Sequence, residues 1–290
     1  MRAAAVFGLG TSTKNLEPFR AGSHTEWIEG VPAASSDADA VLIFGGDGTI
    51  HRHLSALVRL GLPVLAVPVG SGNDFARALK LRSLRHSLVA WRDFESGKIQ
   101  AQSIDLGTIR SPAIPGHDRY FCCVAGCGLD SAVTQTANKM PRWLRGHGGY
   151  VLALLPVLLR FPAFSTSLVS IDGESRTETR ELTLLAAFAN ARFYGGGMQI
   201  APRAKMADGK LDVCWVHTLN PFKLFCMFPT VYFGKHLRMP EVEYWKAERV
   251  CLTTEKPQPI FADGEYVCET PVEIGVQPGA LRVITRQRLI

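Results

Sequence analysis

The stretch Ala40-Val41-Leu42-Ile43-Phe44-Gly45-Gly46-Asp47-Gly48-Thr49 decides how this chain folds. The apolar run 40–44 has no polar interruption and reads as a buried strand, which the glycines around Asp47 bring to an end. Downstream, Ile50, Leu54, Leu57 and Val58 recur at helical spacing and predict a helix over 49–60. The glycine loop therefore joins a strand to a helix N-terminus, where free N–H groups and the helix dipole favour a phosphate. Asp47 puts a carboxylate in that anion-attracting place, which points to a metal ion or a proton as its partner. The loop lacks the Gly-Lys-Ser/Thr ending of a Walker A loop and the Gly-x-Gly-x-x-Gly spacing of dinucleotide folds. A tight strand-to-helix turn with no ligand explains these few residues equally well.

Working outward, a second strand end repeats the arrangement. Val64-Leu65-Ala66-Val67 leads into Pro68-Val69-Gly70-Ser71-Gly72-Asn73-Asp74-Phe75-Ala76, where Ser71 or Asn73 can cap the next helix. Capping accounts for Asn73-Asp74 alone, whereas two neighbouring glycine loops together suggest a two-sided cradle for a ligand. Further strand and helix patterns fall near 3–7, 73–79 and 84–95. Such alternation implies a parallel sheet with helices on both faces and ligands at the carboxyl ends of its strands.

From about residue 99 short β-like runs take over: Tyr120–Ala125, Ser165–Ile171, Leu182–Phe188, Leu211–Val216 and Arg249–Thr253. They predict an antiparallel sandwich or barrel. The expected fold class is thus α/β plus β: an N-terminal parallel-sheet α/β domain over 1–105, with the strand-end loops suited to nucleotide phosphate, and a β-rich sandwich- or barrel-like domain over 106–280. A last strand at Leu281–Thr285 would return residues 281–290 to the first domain. The apolar stretch Trp143–Phe164, flanked by Arg142, Arg145 and Arg160, reads as a core helix or as a hydrophobic lip for a membrane or an acyl chain. Phe222, Phe225, Phe228, Tyr232 and Phe233 pose the same alternative.

Composition sets the outer bounds. The chain has 290 residues, 47% of them hydrophobic and 20% charged, which describes a globular protein with room for two cores. A net charge of +6 suits anionic partners, but no Lys/Arg block or nucleic-acid signature accompanies it, so no nucleic acid is expected. The 7 cysteines show no Cys-x-x-Cys spacing and read as core residues in a reducing compartment. No apolar run approaches the ~18 residues of a membrane span, and Met1–Gly8 reads as a first strand rather than a signal peptide. The expected location is the cytoplasm.

Taken together, separated motifs resemble the diacylglycerol kinase catalytic-domain family, which includes bacterial soluble lipid kinases and sphingosine and ceramide kinases. Besides the two glycine loops they are Gly126-Cys127-Gly128-Leu129-Asp130, then Asn190-Ala191-Arg192-Phe193-Tyr194-Gly195-Gly196-Gly197-Met198 with Pro202-Arg203-Ala204. Asp208-Gly209-Lys210-Leu211-Asp212-Val213 and Asp263-Gly264-Glu265 complete the set in family order. The resemblance implies a kinase that uses ATP and Mg²⁺ to phosphorylate a hydroxyl of a diacylglycerol-like or sphingoid-like lipid, working peripherally at the membrane. It implies that Gly45, Gly46, Asp47, Gly48 and Thr49, with Ser71, Gly72, Asn73 and Asp74, cradle the ATP phosphates, and that Asp47 holds the catalytic Mg²⁺. By the same likeness Glu265 takes the proton of the lipid hydroxyl, with Asp263 and Asp130 counted among the catalytic residues. A hairpin tip at Asp263-Gly264 would aim Glu265 into a cleft, where burial would suit a carboxylate base. Asp130 is equally a helix cap. Asp208, with main-chain carbonyls near Lys205 and Lys210, resembles a second, structural Mg²⁺ site, and Asp105 matches a recurrent Asp of uncertain role.

The chain also departs from that pattern. The first strand runs into Gly8-Leu9-Gly10-Thr11-Ser12-Thr13-Lys14-Asn15 where the family has Asn-Pro and a small-residue loop, and His51 stands where an Asn is usual. Two alternatives follow: a kinase of a soluble acceptor, like the NAD kinases that share the Gly-Gly-Asp-Gly loop, or an inactive nucleotide or lipid sensor. A homodimer is left open.

Overall fold

The run 40–44 forms a strand, β3 (Ala40–Gly45), buried at every position and flanked by a parallel neighbour on each side. This computed structural model describes residues 1–114, 116, 118–129, 131–133 and 163–289. Asp130 and all but the end of the apolar stretch 143–164 lie outside the described residues. The chain divides into two compact units, one of Met1–Leu106, Met206–Asp208 and Gln277–Ile290, the other of Gly107–Lys205 and Gly209–Val276.

The first unit is built on a parallel sheet in the order β2 (Glu26–Glu29), β1 (Arg2–Phe7), β3, β4 (Val64–Pro68). The end of β15 (Val272–Val283) adds a further parallel neighbour at the pair Val283 and Val64. After β3 comes α2 (Asp47–Leu60), which buries Ile50, Leu54, Leu57 and Leu60 and stops at Gly61, whose φ of 63° a side chain would resist. After β4 come the short α3 (Asp74–Ala78) and α4 (Leu84–Glu95), the latter capped by Ser83 on the His86 N–H. Aromatic rings fill the layers: Phe44 lies 5.3 Å from Phe7 and from Phe19 of α1 (Glu17–Arg20), and Trp91 lies 5.5 Å from Trp27. The sequence pattern did not announce β2 and α1, because each is only four residues long and half of Glu-Trp-Ile-Glu is exposed.

The second unit is antiparallel. A hairpin of β8 (Phe164–Asp172) and the long β9 (Ser175–Ala189) forms its spine. The later half of β9 lies between β7 (Val124–Gly128) and β10 (Leu211–His217), and β11 (Val242–Ala247) follows on β10. β12 (Arg249–Thr254) joins β8 to β15, while β13 (Pro259–Ala262) and β14 (Glu265–Glu269) form a hairpin on β7. The inward residues form one core around Phe121, Phe188, Trp215, Val250 and Ile260. Within it the Trp215 indole donates to Thr183 Oγ1 at 2.6 Å, so that the buried polar atom is satisfied.

Both parts of the expected fold class are present. One local expectation is corrected: 120–125 is not a single strand but β6 (Arg119–Phe121) and the start of β7, interrupted at Cys122-Cys123. The final strand is also longer than its apolar ending suggested, since it begins at Val272 and ends at Val283.

Candidate active site

In the first unit, the loops after β1, β3 and β4 meet at the carboxyl ends of the strands. A Cβ on Gly70 would stand 2.5 Å from the Cα of Gly46, so the two predicted loops touch backbone to backbone. Thr49 fills the space beneath Gly8 and Gly45, where a Cβ would come within 2.3 and 2.6 Å of its Oγ1. Thr11 Oγ1 closes the third loop by donating to the carbonyls of Gly8 at 2.8 Å and Phe44 at 3.1 Å. The divergent segment after β1 thus belongs to the cluster, and Gly8 and Thr11 are members that motif matching missed. Exposed Lys14, a candidate source of positive charge, lies in the short 3-10 turn that follows.

Asp47 is the link between the loops. Its carboxylate accepts the N–H of Asp74 at 2.9 Å and of Phe75 at 3.0 Å, so a residue in the first turn of α2 also caps α3. Negative charge there is favoured by both helix ends. Asn73, an expected cap, does something else: in the left-handed region at φ 56°, it accepts from the Gly70 N–H at 3.0 Å and donates to the Gly70 carbonyl. The N–H groups at the start of α3 therefore serve Asp47. A Cβ on Gly72 would lie 2.9 Å from Asp47 Oδ2 and 4.0 Å from Asp74 Oδ2, so carboxylate oxygens of two residues flank that bare Cα. Asp74 is buried and paired with Arg77.

Two substitutions test this cluster. Gly70→Ala is expected to push the loops apart and lower turnover by roughly 10²-fold, the scale of an ångström-sized misplacement. The melting temperature should fall as well, because the clash is with the Gly46 backbone at the end of buried β3, which cannot turn aside as a flexible side chain would. Asp47→Ala strands two N–H donors and is expected to cost about 2 kcal/mol in urea unfolding, with turnover at least ~10-fold lower.

Asp105 gains a structural task in the same unit. Its N–H donates to the Met206 carbonyl at 2.7 Å and its Oδ1 accepts from Gly279 N–H at 2.9 Å. It thereby fastens the segment Met206–Asp208, which carries the candidate ligand Asp208, to the strands of the first unit. Lys205 and Lys210 belong to the second unit, where Lys210 pairs with Asp172 at 2.9 Å. Among the described residues, no three His, Cys, Asp or Glu side chains gather as metal ligands.

In the second unit the Asp263-Gly264 turn joins β13 to β14 with φ values of 50° and 87°, the left-handed pair of a tight hairpin. The Asp263 carboxylate accepts the N–H groups of Cys122 at 2.7 Å, Cys123 at 2.8 Å and Val124 at 3.3 Å. From the other side, buried Asn190 donates through Nδ2 to the Cys122 carbonyl at 2.9 Å and through its backbone to Cys123. Two motifs thus grip the strand break, and the break exists because its hydrogen bonds are spent on them. Glu265 opens β14 and is exposed, so the burial that would suit a base is not present. The third motif lies in β7, where Gly128 at φ 95° leaves no room for a Cβ beside the Leu184 carbonyl, 2.6 Å away.

Asp212, from the fourth run of motifs, is fully buried in β10. It accepts the Tyr244 hydroxyl at 2.5 Å and lies 3.5 Å from the Lys246 ammonium. Burial first, and then that carboxylate, push the Tyr244 phenol well above its ordinary range.

The family profile described as "Diacylglycerol kinase catalytic domain" matches residues 11–109. That described as "YegS C-terminal NAD kinase beta sandwich-like domain" matches residues 123–285. A diacylglycerol kinase of Mycobacterium tuberculosis is 35% identical over 252 residues, covering 87% of this chain and 78% of the relative. A crystal structure of a diacylglycerol kinase from Bacillus anthracis superposes with TM-score 0.67 at 16% identity, over 100% of this chain and 98% of the other. An NAD kinase from Archaeoglobus fulgidus in complex with ATP does so with TM-score 0.53 at 16% identity, over 99% and 94% of the two chains. At such identities the structures speak for the fold, while the mycobacterial relative and the two matched profiles carry the assignment: the chain belongs to the diacylglycerol kinase catalytic-domain family, a family of phosphotransferases.

Proposed function

We propose that this kinase transfers the γ-phosphoryl group of ATP to a hydroxyl of a lipid, diacylglycerol-like or sphingoid-like, while seated peripherally on a cytoplasmic membrane surface. The observation that carries the reading is the interlocking of Gly45–Thr49 with Gly70–Asp74 through Gly46, Gly70 and Asp47. Two strand-end loops fixed against each other form a preorganised polar surface of the kind that phosphate groups require. In this reading Gly45, Gly46, Gly48, Thr49, Ser71 and Gly72 approach the phosphates, and Asn73 holds the second loop closed. Asp47 and Asp74, whose oxygens flank Gly72, suit a hard cation and would hold Mg²⁺. That ion, when bound, offsets the charge on the transferring phosphoryl group. Asp208, with the carbonyls near Lys205 and Lys210, would hold a second Mg²⁺ with a structural role. Glu265 accepts the proton of the acceptor hydroxyl, and Asp263 supports it by fixing the hairpin.

The acceptor class comes from the relatives, the mycobacterial one being named a diacylglycerol kinase. The fold shared with an ATP-bound NAD kinase supports ATP as donor and raises a soluble acceptor as the second reading. Against that reading stands Asn73-Asp74, where NAD kinases carry an Asn-Glu pair. No described helix is long and apolar enough to cross a membrane. The test is incubation with Mg²⁺ and γ-labelled ATP in parallel with detergent micelles of a mixed lipid extract and with NAD. Label in the organic phase is expected; label on NAD alone overturns the proposal.

A further inference from the structure

The helix α5 (Pro221–Val231) is apolar on two opposite faces. Leu224, Met227 and Val231 are buried against the second unit, at the spacing of one helical face. Phe222, Phe225, Cys226 and Pro229 recur on the face opposite, and all are exposed. Phe222 is 76% exposed, Phe225 58%, and Phe233, just beyond the helix, 73%, which makes them three of the most exposed large apolar residues described. A helix apolar all round is normally buried all round. Here only half of that surface is covered by the protein's own core.

Charge selects what the outer face fits. Between Leu219 and Pro240 the chain carries Lys223, Lys235 and Arg238 and no acid. Lys223 is engaged by Glu241 at 2.6 Å, while Lys235 and Arg238 stand exposed in the turn after Phe233. Exposed rings bordered by cations match an anionic lipid surface, where rings enter the acyl boundary and cations meet the headgroups. At about 16 Å long, α5 is too short for a ~30 Å hydrocarbon core and would lie in the surface plane.

The face is also fixed to Pro202 and to the residues that join Met198 to it. The Gln199 N–H and Nε2 donate to the carbonyls of Val231 and Tyr232 at 3.0 and 2.8 Å, and buried His236 meets the Ile200 carbonyl at 3.1 Å. A Cβ on Gly234 would lie 2.8 Å from Pro202 Cβ. The aromatic helix is therefore held by the loop that runs from Met198 to Ala204. We infer that the outer face of α5, with Phe222, Phe225, Phe233, Lys235 and Arg238, is the surface by which this protein docks on an anionic bilayer. The inference rests on the lipid-kinase reading for its purpose, but not for its measurement.

The experiment is co-sedimentation of the full chain with vesicles of phosphatidylcholine plus phosphatidylglycerol, and with vesicles of phosphatidylcholine alone. Wild type is expected to sediment with the anionic vesicles and far less with the neutral ones. Phe222→Ser/Phe225→Ser should lose roughly tenfold in partitioning for each ring removed. Lys235→Glu/Arg238→Glu should lose about tenfold or more. Both variants should melt with wild type, since all four side chains are exposed, and should phosphorylate a monomeric short-chain diacylglycerol at the wild-type rate. Unchanged vesicle binding in the phenylalanine variant overturns the inference. So does a wild-type dimer in sedimentation equilibrium that the same variant splits, which would make the face a contact with a second copy. Vesicle binding lost as expected, with no lipid phosphorylated by wild type, would refute the lipid-kinase reading alone.

Discussion

Glu265→Gln is expected to lower turnover by about two to four orders of magnitude and to leave stability unchanged. Glutamine keeps the shape and polarity of glutamate but cannot take a proton at neutral pH, so the substitution isolates the proposed role as base. Glu265 is exposed and opens β14 opposite Ala262, so its backbone pairing does not depend on its side chain. Surface changes of this kind usually move stability by no more than ~0.5 kcal/mol. Initial rates of phosphate transfer from labelled ATP, measured beside a thermal melt, give both numbers. A variant with near-wild-type turnover would remove Glu265 from the chemistry.

Asp263→Ala, two residues away, is expected to show the opposite signature. The carboxylate is the acceptor for the N–H groups of Cys122, Cys123 and Val124, at a strand break that Asn190 holds from the other side. Charge-assisted bonds of this kind are each worth more than a neutral one, and removing the acceptor leaves several donors stranded together. Alanine also tolerates the left-handed φ of 50° less well than aspartate does. The combined loss should be about 3–5 kcal/mol in urea unfolding, with turnover falling as the hairpin loosens. Asp263→Asn keeps one acceptor oxygen and the turn preference and should lose less than half as much. A loss below ~1 kcal/mol for the alanine variant would show that the clamp is not a principal support of the hairpin.

The contrast between these neighbours shows where sequence reading reaches its limit. Both belong to one short motif, and type and spacing give them the same standing. Only three-dimensional hydrogen bonding separates a carboxylate committed to backbone donors from one that is exposed. The strands β1, β3 and β4 and the helices α2 and α4 were legible because their signals are local: an apolar run, a glycine stop, a helical spacing of apolar residues. The interruption at Cys122-Cys123 was not, because its cause is a carboxylate some 140 residues downstream. The glycines of 45–48 and 70–72 were singled out for a ligand, and the structure gives some of them a second reason: Gly46 and Gly70 meet each other, and Gly45 meets Thr49. Close approach to a phosphate and close approach to each other impose the same absence of a Cβ. Likewise Asp47 advertised a ligand, but its service as the remote cap of α3 depends on Phe75, which no local pattern links to it.

The return of the last strand has a consequence for how this protein can be made and divided. The β4 edge is completed by residues that are translated some 200 residues later: the Ile284 N–H donates to the Val64 carbonyl, and the Thr285 hydroxyl reaches the Leu79 carbonyl across 206 residues of sequence. Until those residues are synthesised, β4 presents an apolar strand with open pairing groups, a template for aggregation. A fragment cut after Leu106 would carry that open edge permanently. Joining Gln277–Thr285 to such a fragment through a designed linker would close it, so the first unit is better borrowed as a permuted module than as an N-terminal half.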